Sequence, residues 1–216
     1  IWLTEALAYS LDLWAQTRER RGLDGEEWRQ NARACREAVN EHAWDGNWYI
    51  RAVSDDGTPI GSKENAEGAL FLNTQSWAVM AGIADEDRVE KIITSVNEHL
   101  GNRIAPAVLG PPYSGMAEHV GKLTLKSPGT GENGSIYSHA ALFWSYALFR
   151  CGRTDEGWRV LRNLLPGTAD NSIESAGQVP LYIPNFYRGP ASPGVFGRSS
   201  HSPNTGSAAW VYLTFV

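Results

Sequence analysis

The 216-residue chain is short of several things, and each shortage excludes something. It has only two cysteines, Cys35 and Cys151, too few for a disulfide framework and without the spacing of a metal site. They read as buried free thiols, and the chain as cytoplasmic. Positive charge is not in excess: 19 Lys and Arg against 24 Asp and Glu leave −5, the wrong sign for a nucleic-acid surface. No apolar run approaches the length of a membrane span, and no signal peptide is visible at the start. Ile1-Trp2-Leu3 already lies inside an amphipathic pattern, which reads as a fragment boundary or a processed start.

Tryptophan, in contrast, is abundant: nine residues, alongside eight tyrosines. Part of this must be core. Flat rings also suit the apolar face of a pyranose, so the composition leans toward carbohydrate.

The pattern of apolar residues predicts helices in pairs. Leu3, Leu7, Leu11 and Trp14 recur at helical spacing, and a second helix with Trp28, Ala32, Cys35 and Val39 follows Gly22-Leu23, with Asp24 as its cap. Another pair covers Thr74–Gly82, capped by Asn73 or Thr74, and Asp85–Leu100, with Val89, Ile92, Ile93 and Val96 on one face. A third spans Ser138–Cys151 and Thr154–Leu165, and a last apolar run begins near Thr205. Tight turns join the members of each pair, whereas long stretches rich in turn signals join one pair to the next. Within one of them, Lys122-Leu123-Thr124-Leu125-Lys126 alternates like a short strand, with both lysines on one face. The expected class is all-α: part of an (α/α) helical barrel of the six-hairpin toroid type, its long loops building a site at one end.

Three segments resemble glycoside hydrolase family ninety-four, the cellobiose-, chitobiose- and cellobionic-acid-phosphorylase family. The first runs from Trp44-Asp45-Gly46-Asn47-Trp48-Tyr49 through Asp55-Asp56-Gly57 and Gly61-Ser62-Lys63-Glu64-Asn65 to Asn73-Thr74-Gln75-Ser76-Trp77-Ala78-Val79. The second is Pro128-Gly129-Thr130-Gly131-Glu132-Asn133-Gly134 leading to Tyr137-Ser138-His139, and the third is Asn204-Thr205-Gly206-Ser207-Ala208-Ala209-Trp210. The resemblance implies inverting phosphorolysis of a β-glucosidic disaccharide, with inorganic phosphate as co-substrate and no metal or organic cofactor. An anion that is already a nucleophile removes the need for a catalytic base, leaving one acid and a phosphate-binding nest.

Carried over residue by residue, His139, Thr205 and Gly206 fall at phosphate-binding positions. Asn204-Thr205-Gly206 also reads locally as a helix start, where anions are favoured or where simple capping suffices. Glu132 falls where a carboxylate meets the acceptor sugar, and Asn185 where an amide meets the donor sugar. Gln178-Val179-Pro180, Tyr187-Arg188-Gly189 and Arg198-Ser199-Ser200 look most like the cellobionic-acid branch. There two cations four residues apart hold the acceptor carboxylate; Lys122 and Lys126 fit that spacing, or are solvated lysines guarding an edge strand. The expected partners are therefore disaccharide and phosphate, with no nucleic acid or membrane, and a homodimer of a full-length parent is allowed.

By the same resemblance residues 1–216 are a fragment of the barrel domain, with the first part of the barrel and a β-sandwich domain absent. The general-acid Asp then lies upstream of Ile1, and Asp45 belongs to a structural turn. Two other readings stay open: an inverting hydrolase on the same barrel, which needs carboxyl groups roughly 6.5–9.5 Å apart, and a non-catalytic carbohydrate-binding fragment. The phosphorylase reading expects no turnover of any β-glucosidic disaccharide by the purified 216-residue chain. Measured phosphorolysis would require an acid among Asp45, Glu64 and Glu132.

Overall fold

The computed structural model describes residues 1–168, 170–200 and 205–216, the side chain of Thr205 excepted. Among these described residues seven helices form an arc: α1 (Trp2–Glu19), α2 (Glu26–His42), α3 (Leu72–Met80), α4 (Glu86–His99), α5 (Ser138–Arg150), α6 (Thr154–Leu164) and, after a single turn α7 (Ile173–Ala176), α8 (Thr205–Phe215). α1, α3, α5 and α8 stand side by side in an inner row, while α2 packs behind α1, α4 behind α3, and α6 behind α5.

Composition decides which row a helix joins. α3 buries Leu72, Thr74, Gln75, Ser76, Trp77, Ala78 and Met80, and α5 buries nine of its thirteen residues. A helix covered all round has no solvent stripe to keep polar. α4 instead buries Ile92, Ile93 and Val96 on one side and leaves Glu86, Asp87 and Lys91 outside. α1 is the exception: Glu5, Ala8 and Ala15 form its buried face, and Leu3, Leu7 and Trp14 are exposed along the edge of the arc. Its leucine spacing therefore marks a helix without marking the face packed on α2 and α3.

Three two-residue ladders tie the long loops down. β1 (Ala52–Val53) pairs with β2 (Pro59–Ile60), β3 (Leu70–Phe71) with β4 (Leu109–Gly110), and β5 (Ile136–Tyr137) with β6 (Phe186–Tyr187), all antiparallel. β3 runs directly into α3 and β5 directly into α5.

Several local expectations are corrected. α3 starts at Leu72, two residues early, with Phe71 in the cap position and no side-chain cap; the Leu72 amide donates to the Val108 carbonyl at 2.9 Å, so neither Asn73 nor Thr74 is needed there. The cap of α2 is Gly25, and Asp24 serves it from one position earlier, accepting from the Glu26 amide at 2.9 Å. Lys122–Leu125 is a 3-10 turn, not a strand. Thr124 is the cause: its hydroxyl donates to the Gly121 carbonyl at 2.9 Å and accepts from the Ala117 amide at 3.0 Å. That draws Thr124 inside (2 % exposed) and leaves Leu125 outside (65 %). The thiols of Cys35 and Cys151 are free, and half-buried rather than buried. Among the described residues no helix is long and apolar enough to cross a membrane.

Glu5 is the least comfortable group of this framework. It has no exposed surface, and neither carboxylate oxygen has a hydrogen-bond partner. Burial pushes its pKa well above the usual carboxylate range, opposed by the Ile1 ammonium and the Arg51 guanidinium. A raised folded-state pKa means that the folded chain holds this proton more tightly than the unfolded one, so stability falls as pH rises above about 4.3. The neutral isostere Glu5→Gln removes this penalty. It is expected to melt higher than wild type at pH 7, with a flatter pH profile; equal or lower melting at neutral pH would show the charge to be compensated.

Candidate functional site

The first turns of the inner helices come together at the end of the arc where the long loops lie. The direction of α8 follows from its contacts: Phe215 meets Trp158 at the start of α6 (5.9 Å between ring centroids) and Trp210 meets Phe143 of α5 (4.5 Å). α8 thus runs parallel to α5, and the helix starts at Ser138 and Thr205 share one end.

His139 is held from both sides. Pairing of Tyr137 with Phe186 delivers the chain to α5. The Ser138 amide then donates to the Asn185 carbonyl at 3.0 Å and its hydroxyl to the Pro184 carbonyl at 2.6 Å. His139 and half-buried Asn185, forty-six residues apart in sequence, are brought together by this pairing. The imidazole lies against Phe143 (4.5 Å) and Trp210 (6.3 Å). Its Nε2 is buried and has no partner. Burial lowers the pKa of His139 from its usual value, which favours the neutral ring.

His139 is accompanied by groups that sequence reasoning missed. On α3 the Asn73 Oδ1, Thr74 Oγ1 and Trp77 Nε1 atoms are buried without partners, and on α8 the same holds for Ser207 Oγ. Trp77 touches both Phe143 (5.3 Å) and Trp210 (5.9 Å), the rings that flank His139. Asn73 and Trp77 stand four apart on one helix face, a spacing visible in the sequence but absorbed there into capping and core. Unpaired buried polar atoms are costly, and here they gather beside helix starts whose amides favour an anion. Ser207 and the main chain of Gly206 belong to the first turn of α8; the Thr205 hydroxyl and Asn204, both singled out from sequence, lie outside the described residues.

The Gly-rich loop, one short segment upstream of His139 in the sequence, is the second candidate region. Its main chain turns on itself through Gly129 N to Asn133 O (2.8 Å) and Thr130 N to Ser127 O (3.1 Å). The segment after β6 braces it, with Gly189 N donating to Gly129 O (2.8 Å) and Ser192 Oγ to Pro128 O (2.7 Å). At its tip Lys126 Nζ and the Glu132 carboxylate form an ion pair, both side chains a little under half exposed. An exposed pair adds only about 0.2–1 kcal/mol to stability, so its interest lies in what it presents. Lys122 is exposed at the start of the 3-10 turn. The strand face that was expected to align it with Lys126 does not exist, because Thr124 curls the chain. Among the described residues no group of three or more His, Cys, Asp and Glu is arranged to hold a metal. Asp45 is occupied: its carboxylate accepts from Ser62 Oγ (3.0 Å) and the Lys63 amide (2.7 Å), which locks the turn and leaves no free acid there.

Inner and outer helix rows, with long loops gathered at one end, define part of an (α/α) helical barrel. The chain belongs to the Glycosyl hydrolase 94 superfamily, matching its catalytic domain over residues 1–216. It is 40% identical to the cellobionic acid phosphorylase of Neurospora crassa, over all of this chain and 28% of that protein. Identity is also 40% to the 3-O-beta-D-glucopyranosyl-beta-D-glucuronide phosphorylase of Paenibacillus borealis, over 99% of this chain and 28% of that one. The N,N'-diacetylchitobiose phosphorylase of Vibrio proteolyticus is 31% identical over 82% of this chain and 22% of its own length. The chain thus spans 28% of the length of each of the first two of these relatives. Among solved structures, the GH63 mannosylglycerate hydrolase of Thermus thermophilus superposes with a TM-score of 0.66 at 12% identity, over 98% of this chain and 46% of that one. That likeness concerns the fold.

The lowered pKa of His139 has a consequence for stability. A histidine whose pKa is lowered on folding binds its proton less well in the folded state, so stability falls as pH drops below about 6.5. His139→Gln, which cannot titrate, should lose less stability than wild type between pH 7 and 5 in thermal or urea unfolding. Parallel losses would place the acid sensitivity elsewhere.

Proposed function

We propose that this chain supplies the phosphate and acceptor parts of the active site of an inverting disaccharide phosphorylase. The observation behind this is the set of unpaired polar atoms, His139 Nε2, Trp77 Nε1 and Ser207 Oγ, next to the starts of α5 and α8. A phosphate ion there meets backbone N–H groups, helix dipoles and an imidazole able to donate from Nε2. Phosphate attacks the anomeric carbon on the face opposite the departing sugar, the glycosidic carbon–oxygen bond breaks, and a sugar 1-phosphate forms with inversion. The departing oxygen takes a proton from a carboxylic acid. No described carboxylate of this chain is assigned that role, since Asp45 is tied into its turn and Glu132 is paired with Lys126.

The acceptor half of the substrate is proposed to be a sugar acid. Two of the relatives act, by name, on cellobionic acid and on a glucosyl glucuronide, and both substrates carry a carboxylate on the sugar released. Lys126 is the cation for it, with Glu132 beside it to accept hydroxyl hydrogen bonds. A carboxylate leaving water needs such compensation. The hydrolase reading is supported by the fold of the Thermus protein alone.

Titration of the chain with phosphate, followed by phosphorus and protein NMR, should perturb His139 and Trp210, and His139→Ala should weaken binding. Gluconate should bind more tightly than glucose. Lys126→Ala should cost roughly 1.5–3 kcal/mol for gluconate, about 10- to 150-fold, and little for glucose. Equal effects on both would return the acceptor to a neutral sugar, and phosphate shifts remote from His139 would remove the phosphate assignment.

A further inference from the structure

Asn133 follows Glu132 in the Gly-rich loop and has no exposed surface. Its side chain is satisfied on both faces. Oδ1 accepts from the Tyr113 amide at 2.8 Å, while Nδ2 donates to the Tyr113 carbonyl at 2.8 Å and the Lys126 carbonyl at 2.7 Å. The amide thus pairs with Tyr113 as a second strand would, and its remaining proton seizes the main chain of Lys126. Its own main chain closes the loop through the Gly129 amide (2.8 Å) and the Thr130 carbonyl (3.0 Å). One residue therefore fixes the backbone of Lys126 directly and that of Glu132 by adjacency.

Gly131 completes the device. Its φ is +51°, and a Cβ there would stand 2.7 Å from Lys126 Cδ and 3.0 Å from Lys126 Nζ. The lysine lies across the glycine to reach Glu132, in space that only a residue without a side chain leaves open.

We infer that Asn133 is a positioning residue for the acceptor face: it sets the distance and direction between the Lys126 ammonium and the Glu132 carboxylate, and acts on the substrate only through them. The assignment of that face rests on the function proposed above; the positioning itself does not. A half-exposed ion pair has too little energy of its own to hold one geometry, and three hydrogen bonds to main chain, the two to Tyr113 buried and the one to Lys126 partly buried, provide what it lacks.

The test uses Asn133→Ser, Lys126→Ala and the double variant in the 216-residue chain, with two readouts. Without ligand, NMR of the Lys126 ammonium should show it paired with Glu132 in wild type and released in Asn133→Ser. A pair that survives overturns the inference whether or not gluconate binds. With ligand, Asn133→Ser should weaken gluconate binding at least tenfold, leave phosphate binding within twofold, and have no further effect once Lys126 is alanine, since residues acting as a unit are non-additive. Additive losses would make Asn133 a general structural residue. If Asn133→Ser does not fold, wild type still decides: both Nδ2 protons should exchange slowly with solvent, and fast exchange overturns the clip. Failure of wild type to bind gluconate while the ammonium is released in the variant would sink the acceptor reading alone.

Discussion

The amides at the start of a buried helix must find acceptors, and in this protein the long loops supply them. An α-helix begins with N–H groups that have no intrahelical partner. On two of the outer helices the usual solution appears: Asp85 caps α4 by accepting from the Arg88 amide, and Asp24 serves α2, whereas the outer helix α6 has no side-chain cap. On the inner helices α3 and α5 no side chain caps the start. The Leu72 amide goes to the Val108 carbonyl and the Ser138 amide to the Asn185 carbonyl, each where a two-residue ladder meets its helix. Side chains in those first turns are thereby released from capping. Asn73, Thr74 and His139 stand there with polar atoms unspent.

The same constraint explains which parts of the fold were legible. Helices with a solvent face announce themselves, because Val89, Ile92, Ile93 and Val96 must recur at 3.6 residues to be buried together. α3 and α5 are covered nearly all round, so periodicity shows that they exist without fixing their first residue. The sequence points to a start of α3 two residues late because Asn73 looks like a cap, and the true acceptor, Val108, is thirty-six residues from Leu72 along the chain. In the same way, alternation at Lys122–Lys126 counts for a strand only if the apolar positions are the buried ones. Thr124 is buried instead, and the bonds that bury it come from Ala117 and Gly121. No local pattern contains that information.

The site was readable in proportion to how local its signals are. Glu132 sits among glycines, and a Gly-rich segment advertises close approach. His139 and Asn185 came from family resemblance and not from any pattern, and what joins them is an antiparallel ladder between distant segments. Trp77 and Ser207 gave no signal beyond ordinary helix residues. Their significance lies in missing partners, and a missing partner is visible only once every neighbour has been placed.

The two halves of the proposed site are built on opposite principles, and the difference follows the chemistry each faces. Around His139 the polar atoms are buried and unpaired, so the folded chain bears their cost until a ligand completes them. At the acceptor face every buried group is satisfied: Asn133 spends its amide on Tyr113 and Lys126, and the charges it holds, Lys126 and Glu132, are half in water and already paired. A phosphate ion is the same in every turnover, and a fixed set of waiting donors suits it. The sugar that departs must be bound, protonated and released, and a soluble ion pair whose partners exchange with the incoming carboxylate and hydroxyls can do so without leaving a buried charge alone. Fixed main chain beneath a half-exposed ion pair is what Asn133 and Gly131 provide, and under the function proposed above this puts acceptor selectivity in the loop's backbone as much as in Lys126 itself.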